Sequence, residues 1–251
     1  SPPSGRYWTM HVINDGYEGA DGVDLVDIDR DGDVDNGIIA HEYTHGISNR
    51  FTGNGSTCLT NAEQMGEGWS DFIGLAFTAK KGDVGSKPRG VGNWLFGQDQ
   101  TGDGIRTYAY STNMSLNPHT YGNLAKAASG VQTEVHYTGE IWCAMLWDMY
   151  WGYVDKYGFD EDLYNGTGGN NRAVQVVIDA MKLQPCGPGF VDARDAILAA
   201  DSIRYGGANK KLGIVTSGKA YLDLMDALLQ LGIDEAQAEQ LGIAVYKVAL
   251  V

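Results

Sequence analysis

The segment His41-Glu42-Tyr43-Thr44-His45 constrains this chain of 251 residues more than any other feature of its sequence. It has the pattern H-E-x-x-H, in which both histidines project from one face of a helix, one turn apart. Two imidazoles spaced in this way can reach a single tetrahedral Zn²⁺, while Glu42 lies beside the ion and can accept a proton from water. The pattern therefore predicts a helix, over residues 36–51, that holds a catalytic metal ion.

A catalytic zinc site needs a third protein ligand and keeps its fourth position open for water. We assign the third ligand to Glu67, in the segment Met65-Gly66-Glu67-Gly68-Trp69-Ser70-Asp71. This segment follows a short glycine-rich loop and belongs to a second helix, predicted over residues 61–79. Asp71 lies one turn after Glu67 on the same helical face, where its carboxylate can bond to the outer nitrogen of a ligand histidine.

The segments HEYTHGISNR and MGEGWSDF, with a cysteine between them, resemble the active-site region of the fungalysin family of secreted zinc metalloendopeptidases. These enzymes are relatives of thermolysin, with a glutamate as third zinc ligand. The resemblance implies a zincin-like catalytic domain that hydrolyses peptide bonds through a zinc-bound water. By residue, it implies zinc ligands at His41, His45 and Glu67, a general base at Glu42, and a histidine-orienting carboxylate at Asp71.

Two later segments extend the resemblance. Arg106, in Gly104-Ile-Arg106-Thr, matches an arginine that binds the substrate carbonyl after the scissile bond. The alternative is an arginine that pairs with surface carboxylates. The segment Val135-His136-Tyr-Thr-Gly139 is similar to a motif whose histidine donates a hydrogen bond to the tetrahedral oxyanion, a contribution of several kcal/mol in the transition state. The alternative for His136 is a capping or packing role.

An acidic run before the first helix is a second candidate metal site, with carboxylates at Asp27, Asp29, Asp31, Asp33 and Asp35. Alternating carboxylates before a glycine turn are typical of the first half of a calcium loop. A complete EF-hand loop would have glutamate at the position of Ile38, so the pattern is partial. Alternatively, the run is an acidic loop whose end at Asp35 caps the helix. The two interpretations are compatible, so the sequence does not decide whether this run binds calcium.

Composition limits the class of partner. The net charge is −14, from 32 acidic and 18 basic residues, and such a charge repels nucleic acid and anionic membranes. The sequence contains no apolar run approaching the roughly 18–20 residues of a membrane span, and no signal-peptide pattern. We expect a secreted enzyme that acts on proteins or peptides, with its signal and any pro-segment already removed.

Three cysteines permit at most one internal disulfide, with three possible pairings. We favour Cys58 with Cys186, because both lie near predicted loops, whereas Cys143 falls in a helix that is expected to be buried. Apolar spacing predicts further helices over about 135–156, 170–183, 189–203, 217–231 and 234–241. Strands are predicted over 6–13 and 244–251. Expected core side chains include Ile38, Ile39, Ile47, Trp69, Phe72, Ile73, Leu75, Phe77, Ile141, Met145, Leu146 and Trp147.

The predicted fold is mainly α, of the α+β type: one zincin-like metallopeptidase domain over residues 1–251. Residues 1–80 carry an N-terminal segment and the two metal-binding helices, and residues 81–251 carry a loop-rich substrate region followed by helices. Fungalysins have a β-rich subdomain before the H-E-x-x-H helix, but only 40 residues precede His41 here. We therefore expect this cleft wall to be short or to come from outside this chain. The alternatives are a zinc aminopeptidase and a non-catalytic metal-binding module.

Overall fold

The computed structural model describes residues 32–53, 58–126, 134–206, 212–234, 237–238 and 241–248. Within these ranges the protein is mainly helical, as predicted. The helices are α1 (Asn36–Phe51), α2 (Gly66–Thr78), α3 (Asn123–Lys126), α4 (Val135–Tyr157), α5 (Gly169–Leu183), α6 (Phe190–Arg204) and α7 (Gly218–Gln230), with a short 3₁₀ turn at Gly32–Val34. The two strands are β1 (Leu212–Ser217) and β2 (Ile243–Val248).

Helix α1 begins where a side chain caps it. The Asp35 carboxylate accepts hydrogen bonds from the backbone N–H groups of Gly37 at 2.8 Å and Ile38 at 3.2 Å. These bonds satisfy two of the donors that a helix leaves free at its N-terminus. The observed bounds of α1 confirm the predicted helix over residues 36–51.

Helix α2 is the central element of the fold, and it packs against α1 on one side and α4 on the other. Both approaches depend on glycine. A Cβ built on Gly74 would lie 2.9 Å from the carbonyl oxygen of Gly37 in α1, and one built on Gly68 would lie 2.5 Å from that of Gly139 in α4. The backbones of α1 and α4 therefore approach that of α2 more closely than a residue with a Cβ would allow at either glycine.

The core forms where α2 and α4 meet and continues through α5 and α6, which pack in sequence beyond α4. Large aromatic side chains fill it, including Trp69, Phe72, Tyr110, Trp142, Trp147 and Tyr150, all fully or almost fully buried. The Trp69 and Trp142 rings pack edge to face with centroids 5.0 Å apart, an arrangement that aromatic pairs favour. The core thus holds the metal-binding helices in a fixed relation.

Two features of the predicted helices are wrong, the start of α2 and the burial of three side chains. Helix α2 begins at Gly66 rather than near residue 61, because residues 58–64 form turns, one of them closed by a bond from Gln64 N–H to the Asn61 carbonyl. Ile39, Phe77 and Met145 are exposed rather than buried. Ile39 and Met145 lie on the solvent-facing sides of their helices, and Phe77 lies next to the end of α2.

The predicted disulfide pairing is confirmed, since Cys58 and Cys186 are bonded and connect the turn before α2 to the turn before α6. Cys143 is a buried free thiol, as expected. The disulfide cross-links segments 128 residues apart in the chain.

Strands β1 and β2 pair in parallel, in the register Leu212 with Ile243 through Ser217 with Val248, and α7 lies between them in the chain. The strand predicted over 244–251 is therefore observed as Ile243–Val248, and the strand predicted over 6–13 lies outside the described residues. None of the described helices is long and apolar enough to cross a membrane. The division of the chain into functional parts stays a prediction.

Candidate metal centre

The side chains of His41, His45 and Glu67 converge at the junction of α1 and α2. Their ligand atoms all lie within 4.8 Å of one another. The two Nε2 atoms are 3.1 Å apart, and the Glu67 carboxylate oxygens lie 3.2 Å from His41 Nε2 and 3.4 Å from His45 Nε2. Two imidazole nitrogens and a carboxylate directed at one point form a set of donors that can hold a divalent metal ion.

Asp71 bonds to one histidine of this cluster from the interior of the protein. It is fully buried on α2, and its Oδ1 lies 2.8 Å from His41 Nδ1. A carboxylate at this position accepts a hydrogen bond from Nδ1–H, which keeps the proton on Nδ1 and leaves the Nε2 atom facing the cluster. Burial alone would raise the pKa of Asp71, but the charge of Arg106 and the hydrogen bond from His41 hold it well below its usual range. Asp71 is therefore a carboxylate anion, placed as predicted beside a candidate ligand histidine.

Arg106 lies behind the cluster, with only 3% of its side chain exposed. Its Nε donates to Asp71 Oδ2 at 2.7 Å, and one terminal nitrogen donates to Asp71 Oδ1 at 2.8 Å and to Glu67 Oε2 at 3.1 Å. The alternative interpretation, an arginine that pairs with carboxylates, describes this geometry, except that the carboxylates are buried. A contact between Arg106 and substrate stays a prediction.

Backbone geometry brings Arg106 to this position. Gly104 has a φ of +64°, and a Cβ on it would lie 1.9 Å from the carbonyl oxygen of Val91. Only glycine fits a left-handed turn with another backbone so close. Ile105 N–H then donates to the same Val91 carbonyl at 2.9 Å, which directs the following residue towards α2.

Two groups with predicted catalytic roles are exposed, one on α1 and one at the start of α4. Glu42 is exposed on α1 between the two histidines. His136 lies in the first turn of α4, its side chain 51% exposed and its Nε2 3.5 Å from Glu67 Oε1. Sequence reasoning missed Glu134, whose carboxylate bonds to His136 Nδ1 and accepts from the His136 and Tyr137 backbone N–H groups. Glu134 directly precedes the helix predicted from residue 135, and this N-cap position was the sequence signal that could have identified it.

Sequence reasoning also missed Tyr110, which is fully buried and donates from its hydroxyl to Asp71 Oδ2. It lies in a segment without clear periodicity, so no pattern in the sequence marked it.

The acidic run that suggested calcium is described only at its end. Asp27, Asp29 and Asp31 lie outside the described residues, and Asp33 lies in the 3₁₀ turn. Asp35 is mostly buried and directs its Oδ1 at the N-terminus of α1. The capping role is therefore observed, and the calcium site stays a prediction.

Comparison with known proteins places these observations in a family context. The family model described as fungalysin metallopeptidase (M36) matches residues 6–216. Extracellular metalloproteinase 4 of Arthroderma gypseum is 45% identical over 194 residues, covering 72% of this chain and 29% of the relative. Extracellular metalloproteinase of Pyrenophora tritici-repentis is 43% identical over 191 residues, covering 72% and 28%. Extracellular metalloproteinase 4 of Trichophyton soudanense is 44% identical over 194 residues, covering 72% and 47%.

The chain thus spans between 28% and 47% of the length of these relatives. A second family model, described as indolepyruvate oxidoreductase domain, matches only residues 202–251, the part that contains β1, α7 and β2. The fungalysin match covers more than half of the chain and includes the cluster, its supporting residues and α4. This chain belongs to the fungalysin metallopeptidase family.

Proposed function

We propose that this chain is the catalytic part of a secreted zinc endopeptidase. One observation carries the proposal. Zinc with bonds of about 2.0–2.1 Å in tetrahedral geometry holds its ligand atoms about 3.3–3.4 Å apart. The Nε2 atoms of His41 and His45 are 3.1 Å apart, and Glu67 places one carboxylate oxygen 3.2 Å from the first and its other oxygen 3.4 Å from the second. The three side chains therefore approach the spacing that zinc requires.

Zinc, when bound there, would polarise the substrate carbonyl and acidify a water molecule. Glu42 is assigned as the base. Its exposed carboxylate, carried on the same helix as both histidines, takes a proton from the attacking water and passes it to the leaving amine. A water oxygen thus bonds to the carbonyl carbon while the C–N bond breaks.

His136 is assigned as the donor to the oxyanion that forms on the substrate carbonyl. When both ring nitrogens carry protons, Nδ1–H bonds to Glu134 and Nε2–H faces the cluster, 3.5 Å from Glu67 Oε1. A donor fixed in place before the charge develops stabilises the transition state without reorganisation. Glu134 therefore orients His136, as Asp71 orients His41.

Secretion is supported by two observations. The relatives carry the name extracellular metalloproteinase. The disulfide between Cys58 and Cys186 is of the kind that persists in oxidising compartments such as the extracellular space. Protein or peptide substrates follow from the proposed reaction.

The test combines zinc analysis of the purified protein with cleavage of an N-blocked peptide. The variants are Glu42→Gln, which removes the base but keeps its shape, and Glu161→Gln, a control on the surface far along the chain. We expect one zinc per chain in all three proteins. Cleavage should persist in wild type and Glu161→Gln, and should fall by at least 10²-fold in Glu42→Gln.

Zinc in none of the proteins would refute the proposal. If the protein cleaves only peptides with a free amino terminus, it is an aminopeptidase and not an endopeptidase, because a blocked terminus offers no amine for an aminopeptidase to hold. Zinc in all three without any cleavage would count against peptidase activity of this chain by itself and indicate that a cleft wall from outside this chain is needed.

A further inference from the structure

A buried carboxylate on α4, Glu140, has no part in the proposed reaction. Its side chain is 5% exposed, and both its oxygens are occupied. Oε1 accepts from the backbone N–H of Thr107 at 2.6 Å, and Oε2 lies 2.9 Å from His119 Nε2. Glu140 therefore ties both ends of the segment 107–119 to α4, one turn after His136.

His119 is held from several directions. Its ring packs edge to face against Tyr108 and Tyr137, with centroids 5.2 and 5.3 Å away, and its backbone N–H donates to Asn117 Oδ1 at 3.1 Å. Only 2% of the side chain is exposed. Because the ring is fixed, its bond to Glu140 fixes the carboxylate as well.

A carboxylate is a poor choice if the fold needs only bulk at this position. Burying a carboxylate is costly, and an apolar side chain of the same size often packs such a site with equal or greater stability. A carboxylate does provide direction, since its charge-assisted bonds hold two donors at short, defined distances. Glu140 thus fixes the Thr107 backbone and the His119 ring relative to α4.

Glu140 is connected to the metal cluster by a closed ring of contacts. Thr107 directly follows Arg106, whose guanidinium bonds to Asp71 and Glu67. Gly139 directly precedes Glu140, and a Cβ on Gly139 would lie 2.4 Å from the Cβ of Glu67. The ring therefore runs from Glu67 through Arg106 and Glu140 and returns to Glu67.

We propose that Glu140 and His119 are positioning residues that hold Arg106 against Glu67 and Asp71. They thereby set the orientation of the third candidate ligand and its relation to the helix turn that carries His136. The effects on zinc affinity and on catalysis rest on the proposed function, whereas the effect on Arg106 does not.

The test compares Glu140→Gln with Glu140→Met, which have similar volumes. Glutamine can accept from Thr107 and donate to the other tautomer of His119, whereas methionine loses both bonds. Leu146→Val, in the core-facing part of α4, controls for destabilisation alone. Three properties are measured under conditions where each variant is folded: the NMR signal of the Arg106 Nε–H in metal-free protein, the zinc dissociation constant, and kcat and KM for an N-blocked peptide.

In Glu140→Met we expect the Arg106 Nε–H signal to be lost to solvent exchange, zinc affinity to weaken by about tenfold, and kcat to fall by about tenfold with KM little changed. Glu140→Gln should resemble wild type in all three. Leu146→Val should lower only the melting temperature. If Glu140→Met does not fold, His119→Phe against His119→Gln gives the same comparison, because phenylalanine keeps the ring packing and loses the donor.

An Arg106 signal and a zinc affinity that are equal in the methionine and glutamine variants would overturn this inference, even if wild type cleaves peptide. A wild type that binds zinc but cleaves nothing would instead count against the proposed function, and the signal and the affinity would still decide the role of Glu140.

Discussion

Replacing Arg106 with leucine tests whether its main role is to neutralise buried carboxylates or to bind substrate. Its guanidinium makes two bonds to Asp71, at 2.7 and 2.8 Å, and one to Glu67 at 3.1 Å. Asp71 is fully buried, so the substitution leaves a charge out of water without its cation. Leucine fills most of the space, which separates the loss of charge from the loss of volume.

Removing one partner of a buried ion pair costs about 3–5 kcal/mol. Here His41 and Tyr110 still bond to Asp71, so we expect a value near the lower limit, about 3 kcal/mol. For a chain of this size, 1 kcal/mol corresponds to about 2–4 °C, so the melting temperature should fall by about 6–12 °C. Lysine keeps the charge but lacks the planar pair of donors, and Arg106→Lys should cost about 1–2 kcal/mol.

Urea denaturation of metal-free protein in EDTA gives the free energy of unfolding for each variant. The decisive control is the same leucine substitution in an Asp71→Asn background, where no buried charge at position 71 needs a cation. The cost of Arg106→Leu should fall there by at least about 1.5 kcal/mol, a coupling typical of residues in contact.

A cost below about 1 kcal/mol that is the same in both backgrounds would refute the argument from buried charge. If that result came with a raised KM for an N-blocked peptide, it would favour the substrate contact that the sequence suggested for Arg106.

Two further predictions concern the helix junction and the protonation of the cluster. Gly139→Ala places a Cβ 2.4 Å from that of Glu67, so it should cost about 1–3 kcal/mol and weaken zinc binding in a titration. Gly152→Ala, on the same helix with no atom within 4 Å, should stabilise by up to about 1 kcal/mol, and equal effects of the two would contradict this account. In metal-free protein, burial lowers the pKa of His41, but Asp71 and Glu67 outweigh it and raise the pKa from 6.5 to about 9. Burial raises the pKa of Glu67, but the hydrogen bond from His41 and nearby histidine charges lower it from 4.5 to about 2. Protonated His41 then stabilises the fold fully below pH 6.5 and less as pH rises through 9, whereas ionised Glu67 does so above pH 4.5 and less as pH falls towards 2. Burial and the charge of His41 lower the pKa of His45, so His45 costs stability as pH falls below 6.5. The melting temperature in EDTA should therefore be highest near pH 6.5, and a constant value from pH 6.5 to 9 would contradict this.

Much of the candidate site was predictable because it depends on spacing within single helices. His41 and His45 lie one turn apart on α1, and Glu67 and Asp71 lie one turn apart on α2, so helical geometry alone places each pair on one face. The start of α1 was also readable, since Asp35 is a residue type that caps helices. The family resemblance then related the two helices to each other.

The positions of Ile39, Phe77 and Met145 were not predictable in the same way. Apolar periodicity says which residues could be buried, but the neighbouring helices decide which face is covered. The start of α2 was misplaced as well, because the turns at residues 58–64 extend past the predicted start at residue 61.

The sequence by itself determined that two helices carry metal-ligand residues and that they belong to a mainly helical peptidase family, and it favoured one cysteine pairing among three. Only the tertiary structure decided what surrounds those residues: Arg106 turned inward to Asp71, and Glu140 between Thr107 and His119. The physical reason is the range of the interactions. Helix periodicity and capping act over a few residues and leave a pattern, whereas contacts between segments more than 20 residues apart arise only when the chain packs.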